Sequence, residues 1–518
     1  MFTETNRLRW LTLGLLLGSV LASIDQTIVA SAMPNVVKGW EGLSLYGWVF
    51  SAYMLASTVT MPIYGKLADL YGRKKTYAAG MLLFLAGSTL CGMAGNMPEF
   101  ILYRALQGLG AGALLPVTFT MIADVFPPER RGTFMGWFGA VFAVSSTAGP
   151  ALGGWLAEYG DWRWIFWINL PLGAAALLLI GGCLQENAAR DAGKPSVDWL
   201  GALALTGSVA SFLLSLVLGG SAYAWSSPPV LGLIAAGVCL LGALIWIEAR
   251  AKDPMVPLRL FRIRSIAYGN LAGFFVSAGM FGAIAFIPLF AQGVLGMSAS
   301  AAGTLLIALM LSASVTSMAC GRWMTRVSFR GILVPSLGAM LIGFLLLSRM
   351  DANTGAAVMI LYLILTGLGM GSVYPALGTA AQNAVEWRER GAATAGSQFF
   401  RSIGGTLGVS VLGSLLSARI SAGAGGYGAG AGENELQRLL LDPVIRASLP
   451  EEVLGGLQTA FSDALSGVFL AGALFVGIGL IASVLMGNAR MERAVKGESM
   501  RGSGGNERVT DAMKGEIG

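Results

Sequence analysis

Long apolar runs separated by short polar loops dominate the chain. A bilayer hydrocarbon core about 30 Å thick takes roughly 20 apolar residues of helix to cross. Runs of that length fall at approximately 10–33, 47–70, 76–95, 99–123, 132–157, 163–184, 199–219, 229–249, 265–290, 300–320, 331–349, 355–380, 391–418 and 462–487, and predict fourteen membrane-spanning helices. Trp and Tyr gather toward the ends of the runs, where amphipathic rings anchor at the interface. The first run is too long for the apolar region of a secretory signal, contains Asp25 and is not followed by a small-residue cleavage site, so it reads as an uncleaved helix. Two stretches are not spans. Residues 421–461 form a long loop, Gly-rich at its start and weakly amphipathic around 436–441, and the Gly/Ser/charged tail 488–518 is expected to be disordered.

The positive charges orient this array. With the N-terminus in the cytoplasm, the inner segments collect Arg7 and Arg9, then Lys66, Arg73, Lys74 and Lys75, and every later cytoplasmic loop is basic as well. Of 34 Lys and Arg, only Lys38, Arg163, Arg349, Arg419, Arg438 and Arg446 fall outside, while Arg104 and Arg401 lie within spans. That is the positive-inside pattern. It predicts a multi-pass protein of the cell (plasma) membrane, of the bacterial inner-membrane type, with both termini cytoplasmic.

Composition narrows the chemistry. Charged residues make up 12% of the chain, against about 25% in soluble domains. The net charge of +6 is a record of topology, so a nucleic-acid partner is not expected. There is no histidine, which removes imidazole bases and ligands. Cys91, Cys183, Cys239 and Cys320 lie far apart in apolar runs, without metal-site or disulfide spacing. No metal and no cofactor is expected. A membrane-embedded enzyme would need a nucleophile–base set that this composition does not offer, and no phosphate-cradling Gly-Lys-Ser/Thr loop points to ATP.

The chain also repeats itself. Gly108-Leu-Gly-Ala-Gly-Ala-Leu-Leu-Pro116 returns as Gly367-Leu-Gly-Met-Gly-Ser-Val-Tyr-Pro375, an offset of 259 that also places Arg131 on Arg390 and Gly149 on Gly408. Two parallel six-helix halves with two inserted helices explain this. The predicted architecture is an all-α membrane protein with an N-terminal bundle at 1–184, a linker pair at 185–250 and a C-terminal bundle at 251–487. Repeated halves around a central site are a transporter architecture. The copies differ where chemistry would sit: Asp69 maps near Thr325, Pro150 onto Val409 and Arg104 onto Leu363.

Asp25 is the one carboxylate well inside a span, roughly 24 Å of helix past Arg9. Such a group costs several kcal/mol unless it is paired or functional. With no histidine available it is the leading proton carrier; the alternative is a structural acid bonded to Thr27 or a neighbouring helix. Arg104 is a buried cation that needs a partner, and the expectation is that it lies within reach of Asp25, with Gln107 in the same polar cluster. The alternative for Arg104 is an ion pair that locks helices. Arg401, with Gln398 one turn before it, has no acid in its own span; it attracts a polar or anionic substrate group or snorkels to the cytoplasm. Gln107, Phe274, Phe275, Phe281, Gln292, Gln398 and Arg401 are the candidates for contact with substrate, the aromatic ones as an adaptable pocket wall, though such residues also face lipid or other helices.

The segment Gly65-Lys-Leu-Ala-Asp69-Leu-Tyr-Gly72-Arg73-Lys-Lys-Thr76 resembles the signature loop of the major facilitator superfamily. Ala148-Gly149-Pro150-Ala-Leu-Gly153-Gly154 is similar to that superfamily's antiporter signature, and Arg104-Ala-Leu-Gln107-Gly108 to its fourth-helix motif. Ile24-Asp25-Gln-Thr27-Ile-Val29 and Asp161-Trp-Arg-Trp164 through Pro171 resemble the branch with fourteen helices. The resemblance runs from about residue 10 to 487 and implies a drug:proton antiporter. Ala30 stands where the family's first-helix motif usually has Asn, and spans ten and thirteen lack the acids that exporters of divalent cations often carry. By this resemblance Asp25 and Arg104 couple protons. Gly65, Asp69, Gly72 and Arg73 form a gate in which Asp69 binds a helix N-terminus in one state only. Gly149, Pro150, Gly153 and Gly154 let the fifth span bend and pack tightly.

The expected function is therefore export of amphipathic drugs or toxic small molecules in exchange for protons, by a monomer in the lipid bilayer. A dedicated proton-coupled exporter of one metabolite, siderophore or lipid is the alternative within transport. A passive facilitator or receptor would show no pH-driven accumulation.

Overall fold

The computed structural model describes residues 4–38, 45–126, 161–184, 198–219, 223–251, 253–297, 299–424 and 450–490, with scattered positions between 134 and 156. Its long elements are helices: α1 (Glu4–Lys38), α2 (Tyr46–Tyr71), α3 (Arg73–Met93) and α4 (Met97–Val125) come first. The short α5 (Trp164–Trp167) leads into α6 (Asn169–Cys183). The inserted pair is α7 (Trp199–Leu218) and α8 (Pro228–Glu248). Then follow α9 (Arg264–Gly293), α10 (Ala299–Trp323), α11 (Phe329–Leu347), α12 (Ala356–Met370), α13 (Val373–Asn383), α14 (Arg390–Ala424) and α15 (Glu451–Leu485).

Twelve stretches among the described residues are long and apolar enough to cross a membrane, with α5–α6 and α12–α13 each forming one stretch. The helix α2 is a further long helix of 26 residues at the expected second run. The fifth run lies mostly outside the described residues; those of its positions that are described are helical. Several helices outrun the apolar stretch that predicted them, α15 most clearly, because backbone hydrogen bonding continues into polar flanks where hydropathy has already fallen. The long loop shrinks accordingly, and what remains of it at 425–449 lies outside the described residues, as does most of the tail.

Two apolar cores hold the halves. One gathers Leu15, Tyr77, Phe84, Leu114 and Ile180 from the N-terminal helices. The other gathers Ile287, Phe290, Leu333, Phe344 and Phe469 from the C-terminal helices. Without a water-driven hydrophobic term, membrane helices rely on close packing at small residues, and the repeated motif supplies it twice. A Cβ at Gly108 or Gly112 would collide with α2, and one at Gly110 with α3. In the second copy Gly367 and Gly371 press on α10 and Gly369 on α11. Glycines two apart thus face two neighbours in both halves. The copies differ at one point: α4 runs through Pro116, whereas the second copy breaks at Gly371–Ser372 between α12 and α13.

The pair α7–α8 does not belong to either core. Leu205, Val209 and Leu244 form a separate cluster with Val59 and Leu55 of α2 and with Phe399 and Ile403 of α14. The inserted helices therefore lean on one helix from each half.

Candidate functional site

Three features distinguish the interior from plain apolar packing. The first is a charged cluster centred on Asp25 of α1, whose side chain is wholly buried. Arg104 Nη1 of α4 donates to Asp25 Oδ2 at 2.9 Å and to Gln107 Oε1 at 2.7 Å. Gln107 Nε2 returns a bond to Asp25 Oδ1 at 2.7 Å. Asn169, at the start of α6, donates to the same oxygen at 3.3 Å and to Ser88 Oγ of α3 at 3.0 Å. The Tyr53 hydroxyl of α2 also reaches this carboxylate, and the Tyr53 ring lies under the Arg104 guanidinium at 4.2 Å. Helices α1, α2, α4 and α6 thus meet at one carboxylate, and α3 joins the cluster one hydrogen bond further out, through Ser88.

The proximity of Asp25, Arg104 and Gln107 was expected from composition. Tyr53, Ser88 and Asn169 were not, since polar residues of those types recur through the other spans as well. Asn169 carried the one available signal, as part of the Phe166–Pro171 motif.

The second feature is the junction between halves where α2 ends and α14 begins. Asp69 accepts hydrogen bonds from Gly391 N at 2.9 Å and Ala392 N at 2.8 Å, two free donors of the α14 N-terminus. Arg73 Nη2 lies 2.9 Å from Asp69, and Arg73 Nε donates to Asp124 of α4 at 3.0 Å. From the other half, Arg390 pairs with Asp124 at 3.4 Å, and Trp387 gives Arg73 both its carbonyl, at 3.1 Å, and its ring, at 4.2 Å. The glycines have distinct roles. Gly72 sits at φ 97° and ψ 151°, a region essentially reserved for glycine. At Gly65 a Cβ would come within 2.7 Å of the Gly391 carbonyl oxygen. Asp124, Trp387 and Arg390 complete a cross-half network that the loop motif alone did not reveal.

The third feature is a cavity of ≈ 210 Å³ between the halves. Its wall is mostly apolar, with Met54, Phe119, Phe138, Met280, Phe281 and Met310 among its side chains. Gln398 and Arg401 of α14 also line it, as do Ser19 and Ser23 of α1. Of the expected pocket residues, Phe281, Gln398 and Arg401 are in this wall. Phe274 and Phe275 are not: the Phe274 backbone is pressed against Gly404, and the Phe275 ring packs on Phe475. Gln292 is turned onto its own helix, donating to the Pro288 carbonyl at 3.3 Å. Gln107 serves the Asp25 cluster and does not line the cavity. A periodic aromatic stripe on one helix spans more of its circumference than a cavity can use.

The described residues of the fifth segment include Gly149 and Gly153, both buried. A Cβ on Gly149 would strike the Thr27 side chain of α1, less than one turn from Asp25. Pro150 and Gly154 lie outside the described residues.

Paired helical bundles around a central cavity, with an ion pair sealed inside one bundle, define a membrane transporter of small molecules. The chain belongs to the Major Facilitator Superfamily, whose family model matches residues 15–198 and 199–409. It is 38% identical to the "Multidrug transporter protein MdtP" of Bacillus subtilis (strain 168), over 91% of this chain and 92% of that one. It is 36% identical to "Multidrug resistance protein 3" of the same organism, over 93% of this chain and 96% of the relative. Among solved structures, the human organic anion transporter MFSD10 (TETRAN) superposes with a TM-score of 0.59 at 16% identity, covering 92% of this chain and 100% of that one. At that identity the likeness is one of fold.

Proposed function

We propose that this transporter exports amphipathic drugs or toxic small molecules in exchange for protons, by alternating access. The observation that carries the reading is the state of Asp25: a wholly buried carboxylate held by Arg104, Gln107 and Asn169, with the Tyr53 ring under Arg104. Adding a proton to it removes the counter-charge of Arg104 and one set of acceptor lone pairs. The helices that meet there then have to rearrange. On α1, Ser19 and Ser23 face the cavity while Asp25 faces α4 and α6. A shift of α1 at the carboxylate is therefore felt in the cavity wall.

In the same reading the Asp69–α14 junction is a gate that holds one side closed and parts in the opposite state. Its basic flank supports a cytoplasmic position for that side and for both termini. The protein works as a monomer in the cell membrane, of the bacterial inner-membrane type. Its bundles divide at about 184 and 250, with α7–α8 as a separate pair. Purified protein in liposomes tests the coupling. A pH gradient of the correct sign should drive accumulation of an amphipathic dye against its gradient, and Asp25→Asn should abolish it. Uphill accumulation by Asp25→Asn at the parent rate would refute the coupling role.

A further inference from the structure

The two buried arginines are in opposite situations. Arg104 has a carboxylate at 2.9 Å. Arg401, 3% exposed, forms no ion pair with any described carboxylate. Its Nε and Nη2 both donate to Gln398 Oε1, and the Tyr374 ring covers its guanidinium at 4.5 Å. Nη1 is buried and has no partner.

A guanidinium cannot shed its proton to relieve this, as a lysine or histidine could. Its counter-charge has to come from elsewhere. Arg401 lines the central cavity, and it is the one charged residue among the described residues that do. Among the described residues the cavity wall holds no carboxylate with which a cationic guest would pair. The position is also unique to the second half, since the offset of 259 places Arg401 on the apolar Phe142.

We propose that the cavity is an anion-selective site, in which Arg401 binds the carboxylate or sulfonate of an amphipathic acid. The unpartnered Nη1, together with the second N–H of Nη2, presents two parallel donors in a fixed plane, suited to an acidic group with two or three oxygens. Gln398 holds the fork in position by occupying Nε and the first N–H of Nη2. Phe119, Phe138, Phe281 and the methionines receive the apolar body, and methionine adapts to differing ring shapes. Selectivity for acids then comes from Arg401 and tolerance of shape from the wall. This proposal rests on the export reading above and names its substrate class.

The test uses two dyes with one skeleton: 8-anilinonaphthalene-1-sulfonate, and N-phenyl-1-naphthylamine, which lacks the sulfonate. Each is titrated into the full chain in nanodiscs of zwitterionic lipid, with protein-free nanodiscs subtracted, so that no anionic headgroup competes. Arg401→Gln should lower the ratio of sulfonate to neutral-dye affinity by about 10- to 100-fold, the range of a charge-assisted hydrogen bond. Arg401→Lys, which keeps the charge and loses the fork, should retain part of the ratio. Gln398→Leu, which frees the guanidinium to move, should lower it less than Arg401→Gln and serves if that variant does not fold. A ratio unchanged in Arg401→Gln overturns the proposal, because the arginine then only packs. Wild-type protein that binds the neutral dye but not the sulfonate overturns it too, and leaves the amphipath-cavity reading standing. Wild-type protein that binds neither dye overturns both.

Discussion

Asp69→Asn isolates the contribution of one charge to the junction between the halves. The wild-type carboxylate accepts two backbone N–H groups, from Gly391 and Ala392, at 2.9 and 2.8 Å. Asparagine has nearly the same shape, but its single carbonyl oxygen serves one donor well and its NH₂ faces the other. Hydrogen bonds to a charged acceptor are worth about 1.5–3 kcal/mol, against about 1 kcal/mol for neutral ones. An anion at a helix N-terminus adds about 0.3–1 kcal/mol, rising to about 2 kcal/mol in partly buried geometry. Asp69 is buried, with 4% of its side chain exposed, so the upper part of that range applies. The variant should lose about 2–3 kcal/mol of closed-state stabilisation, a shift of roughly 30- to 150-fold toward the open form.

Thiol labelling reads that shift directly. Ser317 is 5% exposed and lines the cavity, and Ser→Cys is a small change there. Cys239 is the exposed native cysteine and is replaced by serine in the background chain. When closure is fast compared with labelling, the rate for a membrane-impermeant maleimide added from the Asp69 side follows the open population. The expected result is labelling of Ser317→Cys accelerated by roughly 30- to 150-fold in Asp69→Asn, with an unfolding midpoint near the parent's. A folded variant labelled within about threefold of the parent, under 1 kcal/mol, would refute the claim that these two hydrogen bonds hold the halves together.

Three further outcomes follow from the same geometry. Asp25→Asn leaves Arg104 charged and unpaired in the interior, and should cost about 3–5 kcal/mol in denaturant unfolding; adding Arg104→Gln should recover part of that stability but none of the pH-driven dye accumulation. Gly72→Ala forces a side chain into a backbone region where it costs about 1–3 kcal/mol, so the folded yield should fall, and asparagine should not rescue it because ψ 151° is outside the left-handed helical well. Gly149→Ala drives a methyl into Thr27, and overpacking of this kind costs about 1–3 kcal/mol; proton leak through liposomes should rise, and Thr27→Ala in the same chain should reverse it.

The parts legible in the sequence were those with few possible partners. One acid and two arginines inside otherwise uncharged spans leave few ways to neutralise charge, so the sequence alone points to a pairing of Asp25 with Arg104. The spans were legible for the same kind of reason, because a bilayer demands a minimum apolar length whatever the packing. Helix ends were less so, since α15 begins at Glu451 in a polar stretch that hydropathy scored as loop. Tyr53, Ser88 and Asn169 are of types that also fill many purely structural positions, and only the meeting of five helices distinguishes them. The cavity wall was the least legible part. Phe274 and Phe281 lie on one helix in one composition, and their different fates depend on where Gly404 of α14 admits the α9 backbone.

The separation of the two arginines bears on how a proton could be coupled to cargo. Asp25 and Arg104 are sealed from the cavity, and Arg401 is in its wall. In the proposed exchange, proton and guest therefore would not contend for the same atoms, as they would if one carboxylate served both. Coupling has to pass through helix position. Three helices touch both places: α1, through Ser19 and Ser23 on one face and Asp25 on the other; α2, through Met54 on the wall and Tyr53 on the charged cluster; and α4, through Phe119 on the wall and Arg104 and Gln107 on the cluster. Adjacent residues on a helix point about 100° apart, so a small rotation of α2 moves the Tyr53 and Met54 side chains together. Under the proposed function, that geometry would let the wall change its guest without changing the proton chemistry. Duplication supplies the means: each half kept a buried arginine at a position where the other half has an apolar residue, Leu363 opposite Arg104 and Phe142 opposite Arg401.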